Sequence, residues 1–162
     1  MIAEAENEHP PIAEIERIGV VGAGQMGSGI SQVAAQSGFD VALLDVSQER
    51  LDAAMNKIES GLRRRAERGQ IEASTVGAAL ARIRTGLHYD IFADSELIVE
   101  AASENEEIKR KILQSLLPVI KPNAIIASNT SSISITRLAA TTDRPERFIG
   151  MHFMNPVPRM QL

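Results

Sequence analysis

The sequence predicts an α/β fold, a doubly wound parallel sheet with helices on both faces. Three observations carry this prediction. Short apolar runs alternate with amphipathic segments, a glycine-rich turn follows the first apolar run, and an aspartate ends the second. Alternating strands and helices favour a parallel sheet, because each pair of parallel strands needs a crossover connection. The chain has 162 residues, 44% of them hydrophobic, which is enough for one such domain with a buried core.

Short apolar runs and helix-end signals divide the first half of the chain into elements. Gly38 is a stop signal for the first helix. Ser47 fits the N-cap of a long helix, since its hydroxyl can accept from a free amide of the first turn, and Ser74 is the expected cap of a shorter one. The predicted elements are, in order, a strand over 16–21, which should be central, a helix over 25–37, a strand over 40–45, a helix from 48 to about 69, a helix over 74–81 and a strand over 83–85.

The second half continues the alternation. Pro118 and Pro122 close a helix predicted over 105–120, because proline cannot continue a helix. The inner face of this helix is expected to carry Ile108, Ile112, Leu113, Leu116 and Leu117. The other predicted elements are a strand over 97–102, a strand over 124–127, a short helix over 135–140 and a strand over 148–153. Ligands of such sheets bind outside the carboxyl ends of the strands. Polar residues follow most of the predicted strands, so we expect the site there.

The segment joining the first two strands is a dinucleotide-binding fingerprint. Gly22 allows the tight turn, Gly24 lets a pyrophosphate approach the backbone, and Gly27 lets the helix pack closely on the sheet. Free amides at the helix start would bind the phosphates. Asp45, eighteen residues after Gly27, is placed to accept hydrogen bonds from the adenosine ribose. A glycine turn alone is a weak signal, but strand, turn, helix and acid together predict a Rossmann domain. The predicted cofactor-binding residues of this segment are Gly22, Gly24, Gln25, Met26, Gly27 and Asp45.

Composition excludes several other classes of function. The net charge of −4 gives no general attraction to nucleic acid or to an anionic membrane. The chain has no cysteine, and its three histidines are too scattered to suggest a metal site. No apolar run approaches the length of a membrane span. Residues 1–13 are acidic, contain Pro10-Pro11 and lack the pattern of a signal peptide, so we expect a flexible lead-in to a domain over 14–162, and a cytoplasmic location by default.

Four segments together resemble one family. They are GAGQMG at 22–27, VEAASEN at 99–105, ASNTSS at 127–132 and GMHFMNPVPRMQL at 150–162. In this order and spacing they are similar to the NAD-binding domain of the L-3-hydroxyacyl-CoA dehydrogenases, and most of all to the bacterial members that act on 3-hydroxybutyryl-CoA. The resemblance covers about 17–162. One departure is Met154, where the family usually has a second phenylalanine, and we expect only a packing change from it.

The resemblance implies roles for five further residues. Glu104 and Lys109 correspond to residues that contact the nicotinamide ribose side of NAD. Ser131 corresponds to a serine that hydrogen-bonds the 3-oxygen of the substrate beside the cofactor, and His152 to the catalytic base. Asn155 corresponds to a residue near the nicotinamide and the substrate. Histidine suits the base role, because its ordinary pKa lies near neutral pH.

One basic cluster, Arg63-Arg64-Arg65-Ala66-Glu67-Arg68, lies on the long helix. Arg64 and Arg68 are four residues apart and therefore share one helix face. The family uses the equivalent helix to contact coenzyme A phosphates, to which arginine is well suited. The alternative is an ordinary solvated helix face, and the sequence leaves both interpretations open.

The resemblance implies reversible oxidation of an L-3-hydroxyacyl-CoA to the 3-oxoacyl-CoA, with NAD as cofactor and no metal. The family's motif continues past Leu162 to a glutamate that pairs with the histidine, and then to an all-helical domain that supplies dimer contacts. We therefore expect this chain to be catalytically incomplete and the intact protein to be a homodimer through that domain. Two alternatives stay open: a non-catalytic NAD-binding module, and a β-hydroxyacid or sugar-acid dehydrogenase of the same fold.

Overall fold

A computed structural model, which describes residues 14–160, contains a six-stranded parallel sheet. The strands are β1 (Arg17–Val21), β2 (Asp40–Leu44), β3 (Ile83–Gly86), β4 (Leu97–Glu100), β5 (Ile125–Ser128) and β6 (Phe148–Gly150). Their spatial order is β3-β2-β1-β4-β5-β6, and every neighbouring pair is parallel. The order reverses between β1 and β4, which is the point where such sheets bind ligands. The predicted fold class and the central position of β1 are confirmed.

Five helices cover the two faces of the sheet. They are α1 (Gln25–Gln36), α2 (Gln48–Glu67), α3 (Ala73–Ala81), α4 (Glu106–Leu116) and α5 (Ile135–Ala139). Buried side chains of α1, α2 and α3 pack with β1, β2 and β4 in one core cluster. Those of α4 and α5 form a second cluster on the opposite face, together with Phe92. Successive strand residues such as Val20 and Val21 contribute to opposite clusters, as expected for strands buried on both faces.

Of the two predicted helix caps, one is confirmed and one is wrong. The Ser47 hydroxyl accepts from the amide of Arg50 at the start of α2. Asn105, predicted as the first residue of a helix, is instead the N-cap of α4, and its side chain accepts from the amide of Ile108. The prediction that Ser74 caps α3 is wrong, because the helix begins at Ala73 with Glu72 in the N-cap position.

Helix α4 is shorter than predicted, and its inner face is narrower. It ends at Leu116 rather than at residue 120, since Pro118 has no amide hydrogen to donate to a carbonyl one turn earlier. Ile108 is 42% exposed and does not belong to the inner face, whereas Ile112 and Leu113 are buried. The amphipathic face therefore begins one turn later than predicted.

Strand β6 ends at Gly150, three residues before the predicted end. The amide of Met151 still donates to the carbonyl of Ser128, but the amide of Phe153 donates to the Asn129 side chain instead of to a strand. Two 3₁₀ turns, Tyr89–Phe92 and Pro145–Arg147, were not predicted. The acidic segment expected over residues 1–13 lies outside the described residues. Nowhere between residues 14 and 160 is a helix both long and apolar enough to cross a membrane.

Candidate active site

The glycine turn leaves the start of α1 open. Gly22 has a φ of +101°, a conformation that side chains disfavour, and its amide donates to the carbonyl of Leu44 at 2.7 Å. A Cβ on Gly27 would lie 1.7 Å from the carbonyl oxygen of Gly22, so only glycine permits this packing. At Gly24, by contrast, a Cβ would meet no atom within 4 Å. Gly24 is the N-cap and offers no side chain to accept from the first amides of α1, which a helix start leaves without intrahelical partners.

Asp45 lies beside this turn, at the end of β2. It is buried, and its Oδ2 accepts from the amide of Ala23 at 2.8 Å. Its Oδ1 accepts from the amide of Val46 at 2.8 Å and lies 3.8 Å from the Arg50 guanidinium. The carboxylate therefore holds the glycine turn in addition to its predicted contact with ribose, a second role that the sequence pattern did not indicate.

A buried ion pair lies at the end of β4, the strand beside β1 in the sheet. Glu100 and Lys109 are each 1% exposed, and the Lys109 ammonium lies 2.8 Å from both oxygens of Glu100. Glu100 also accepts from the Ser128 hydroxyl at 2.7 Å and from the amide of Ala102 at 2.8 Å. Sequence reasoning missed Glu100, although an acid ending an apolar strand is the same signal that identified Asp45. Lys109 lines the candidate site, but its ammonium is already held by this partner.

Glu104 connects the loop after β4 with the loop that carries Ser131. Its Oε1 accepts from the hydroxyls of Thr130 and Ser132 and from the amides of Ser131 and Ser132, the last two at 3.1 Å. Although partial burial raises the pKa of Glu104, these hydrogen bonds and the charge of Lys109 lower it to about 2. Glu104 is therefore ionised at neutral pH.

His152 and Asn155 lie in the loop that follows β6, and Asn155 contacts the first residue of α1. His152 is exposed, and no carboxylate within residues 14–160 pairs with it. The Gln25 side chain donates to the Asn155 oxygen at 2.9 Å, across the crevice. Val157 holds the same loop against α1, where a Cβ on Gly29 would approach it to 2.8 Å. The loop that carries the histidine is thus fixed to the helix that begins at the glycine turn.

These residues border an open cavity of about 490 Å³ at the carboxyl ends of β1, β4, β5 and β6. Six predicted site residues line it, namely Met26, Glu104, Lys109, Ser131, His152 and Asn155. Asp45 lies on the opposite side of the glycine turn from this cavity. A dinucleotide whose nicotinamide half occupied the cavity would need its adenosine site there. Between residues 14 and 160, no group of three potential ligands could hold a metal ion.

The two remaining predicted residues, Arg64 and Arg68, line a separate groove of about 590 Å³. Three further cations, Lys57, Arg65 and Arg159, also line it. Sequence reasoning missed Arg159 because it lies about ninety residues further along the chain. Pro156 and Pro158 contribute to the same groove, so the loop that follows His152 separates the cavity from the groove.

Several known proteins are similar to this chain in sequence and in fold. The sequence profile of the 3-hydroxyacyl-CoA dehydrogenase NAD-binding domain matches residues 17–162. The chain is 55% identical over 150 residues to a protein of Bradyrhizobium diazoefficiens named 3-hydroxybutyryl-CoA dehydrogenase, covering 93% of this chain and 51% of that protein. It is 43% identical over 149 residues to the fatty acid oxidation complex subunit alpha of Psychrobacter cryohalolentis, covering 92% of this chain and 21% of that one.

A solved structure is similar to this chain in fold as well as in sequence. The (S)-3-hydroxybutyryl-CoA dehydrogenase of Ralstonia eutropha superposes with a TM-score of 0.90 at 44% identity, over 92% of this chain and 53% of that chain. The chain thus spans about half the length of the two dehydrogenases it matches.

Proposed function

This chain belongs to the 3-hydroxyacyl-CoA dehydrogenase family, whose NAD-binding domain it carries, and from that premise we propose that the intact protein interconverts an L-3-hydroxyacyl-CoA and the 3-oxoacyl-CoA. The observation that carries the proposal is the 490 Å³ cavity, which Ser131 and His152 line together with Met26 of α1. The names of the relatives favour 3-hydroxybutyryl-CoA as the substrate.

The cofactor fits the residues that are present. The first amides of α1 suit a pyrophosphate, and the Asp45 side chain lies next to the turn. When bound, NAD supplies the acceptor for the hydride from C3 of the substrate. His152 would take the proton of the substrate hydroxyl, and Ser131 would hold the same oxygen by a hydrogen bond. Asn155 would border both ligands.

A substrate screen tests this proposal against the second dehydrogenase interpretation. The intact protein should oxidise NADH with acetoacetyl-CoA and should be inactive with free β-keto acids or sugar acids. Turnover of free acids at a higher kcat/KM than the thioester would reject the proposed substrate class and favour a β-hydroxyacid or sugar-acid dehydrogenase.

The first prediction concerns the choice of cofactor. NAD should bind about ten- to a hundredfold more tightly than NADP, because Asp45 can bond a 2′-hydroxyl and would repel a 2′-phosphate. A hydrogen bond to a charged group contributes roughly 1.5–3 kcal/mol, which corresponds to that ratio. Calorimetry with both nucleotides measures it. Arg50→Ala, which removes the cation 3.8 Å from Asp45, should increase the preference, whereas equal affinities in the unmodified chain would contradict the prediction.

The second prediction concerns the basic groove. The double variant Arg64→Ala/Arg68→Ala should bind coenzyme A about two- to thirtyfold more weakly at low salt, since each exposed ionic contact contributes roughly 0.2–1 kcal/mol. The loss should shrink as salt screens the charges, and NAD affinity should stay the same. Arg63→Ala is the matched control, because Arg63 pairs with Glu59 and does not line the groove. Unchanged coenzyme A binding by the double variant would favour the solvated-face interpretation.

A further inference from the structure

The two oxygens of the Glu104 carboxylate have different surroundings. Oε1 accepts all four hydrogen bonds from the loop of Thr130, Ser131 and Ser132. Oε2 accepts none among the described residues, and its nearest cation is the Lys109 ammonium at 3.7 Å. Glu104 lines the 490 Å³ cavity, and its side chain is 40% exposed. One oxygen is thus committed to the loop, while the other is available to a ligand.

The loop depends on this carboxylate. Among the described residues, the amide of Ser131 donates to no acceptor other than Glu104, and Ser132 donates to it through both its amide and its hydroxyl. An acceptor that binds several donors of one loop fixes the loop backbone and, with it, the direction of the Ser131 side chain. The contact joins residues 26 to 28 positions apart, from the turns that follow β4 and β5.

We propose that Glu104 is a positioning residue that couples cofactor binding to substrate orientation: one oxygen clamps the loop carrying Ser131, and the other meets the nicotinamide-side ribose. The proposal rests on the proposed function and adds to it a physical link between the two ligands. A ribose hydroxyl that donates to Oε2 would fix the carboxylate further, so the loop should become more rigid before the substrate arrives.

Amide proton exchange, measured residue by residue by NMR, reads the clamp directly. In the unmodified chain, exchange at Ser131 and Ser132 should slow by about twofold or more when NAD is added. In Glu104→Ala without NAD, exchange should be about tenfold faster at the Ser131 amide and less strongly affected at Ser132, whose amide also donates to the Thr130 hydroxyl, and NAD should no longer slow either. Glu104→Gln should be intermediate, because its carbonyl oxygen can still accept. Val99 in β4 reports whether each variant is folded.

The matched control is Glu107→Ala, an exposed glutamate of α4 that pairs with Lys111 and does not touch the loop. If Glu104→Ala fails to fold, Thr130→Val removes one donor to Oε1 and should still speed exchange at Ser131, whose amide donates only to Glu104; the Ser132 amide also donates to the Thr130 hydroxyl, so the comparison rests on Ser131. Exchange unchanged in both variants would overturn the clamp. Retained protection by NAD in Glu104→Ala would overturn the coupling. If calorimetry shows that NAD binds but does not slow exchange, only the coupling fails; if NAD does not bind at all, the proposed function fails with it.

Discussion

Replacing Lys109 by methionine should lower the free energy of unfolding by about 3–5 kcal/mol. This is the cost of removing one partner of a buried ion pair, which leaves the other charge buried and unpaired. Lys109 and Glu100 are each 1% exposed, and the ammonium bonds both carboxylate oxygens at 2.8 Å. Methionine keeps most of the volume and removes the charge, so the change isolates the electrostatic loss. Urea denaturation followed by circular dichroism measures it, as a shift of the midpoint at constant slope.

Lys111→Met is the matched control, because Lys111 lies two residues further along the same helix, on a different face. Lys111 is 71% exposed and pairs with Glu107 at 3.0 Å, so its loss should cost no more than about 1 kcal/mol. The double variant Glu100→Gln/Lys109→Met should recover much of the loss, because it leaves no unpaired charge behind. Equal effects of Lys109→Met and Lys111→Met would show that burial does not decide the energetics of this pair.

The parts of the site that local patterns encode could be predicted from the sequence. The glycine turn and Asp45 lie within one strand-helix-strand unit, whose spacing follows from backbone geometry. Gly22 is required by its positive φ, and Gly27 by a contact closer than any side chain allows. These requirements explain why the motif can be recognised in the sequence.

The side-chain network behind the site could not be predicted in the same way. Ser128 reaches Glu100 across 28 positions, and Gln25 reaches Asn155 across 130. Such pairs depend on which strands become neighbours, and β4 and β5 carry no local signal that names their partners. The same reason hid the contribution of Arg159 to the basic groove on α2. The resemblance identified Glu104, but not the loop that it holds.

The largest expected effect concerns catalysis by the 162-residue polypeptide itself. Expressed alone, it should bind NAD and yet reduce acetoacetyl-CoA at least about 10⁴-fold more slowly than the Bradyrhizobium relative, which is about twice as long. His152 has no carboxylate partner within residues 14–160, and in serine proteases the loss of the acid that orients the histidine costs about 10⁴ in rate. This site belongs to a different enzyme class, so only the scale of that effect transfers.

Substrate orientation should add to the deficit. A well-oriented substrate can gain roughly 7–11 kcal/mol relative to a freely diffusing one, and His152 and Ser131 line a cavity that is open to solvent at the exposed histidine. Calorimetry should therefore detect NAD binding, while NADH oxidation in the same sample should stay near background. NAD binding without turnover would favour the interpretation of this polypeptide, on its own, as a non-catalytic NAD-binding module. NADH oxidation at the rate of the longer relative would contradict the prediction, because it would mean that residues 1–162 contain every group the reaction needs.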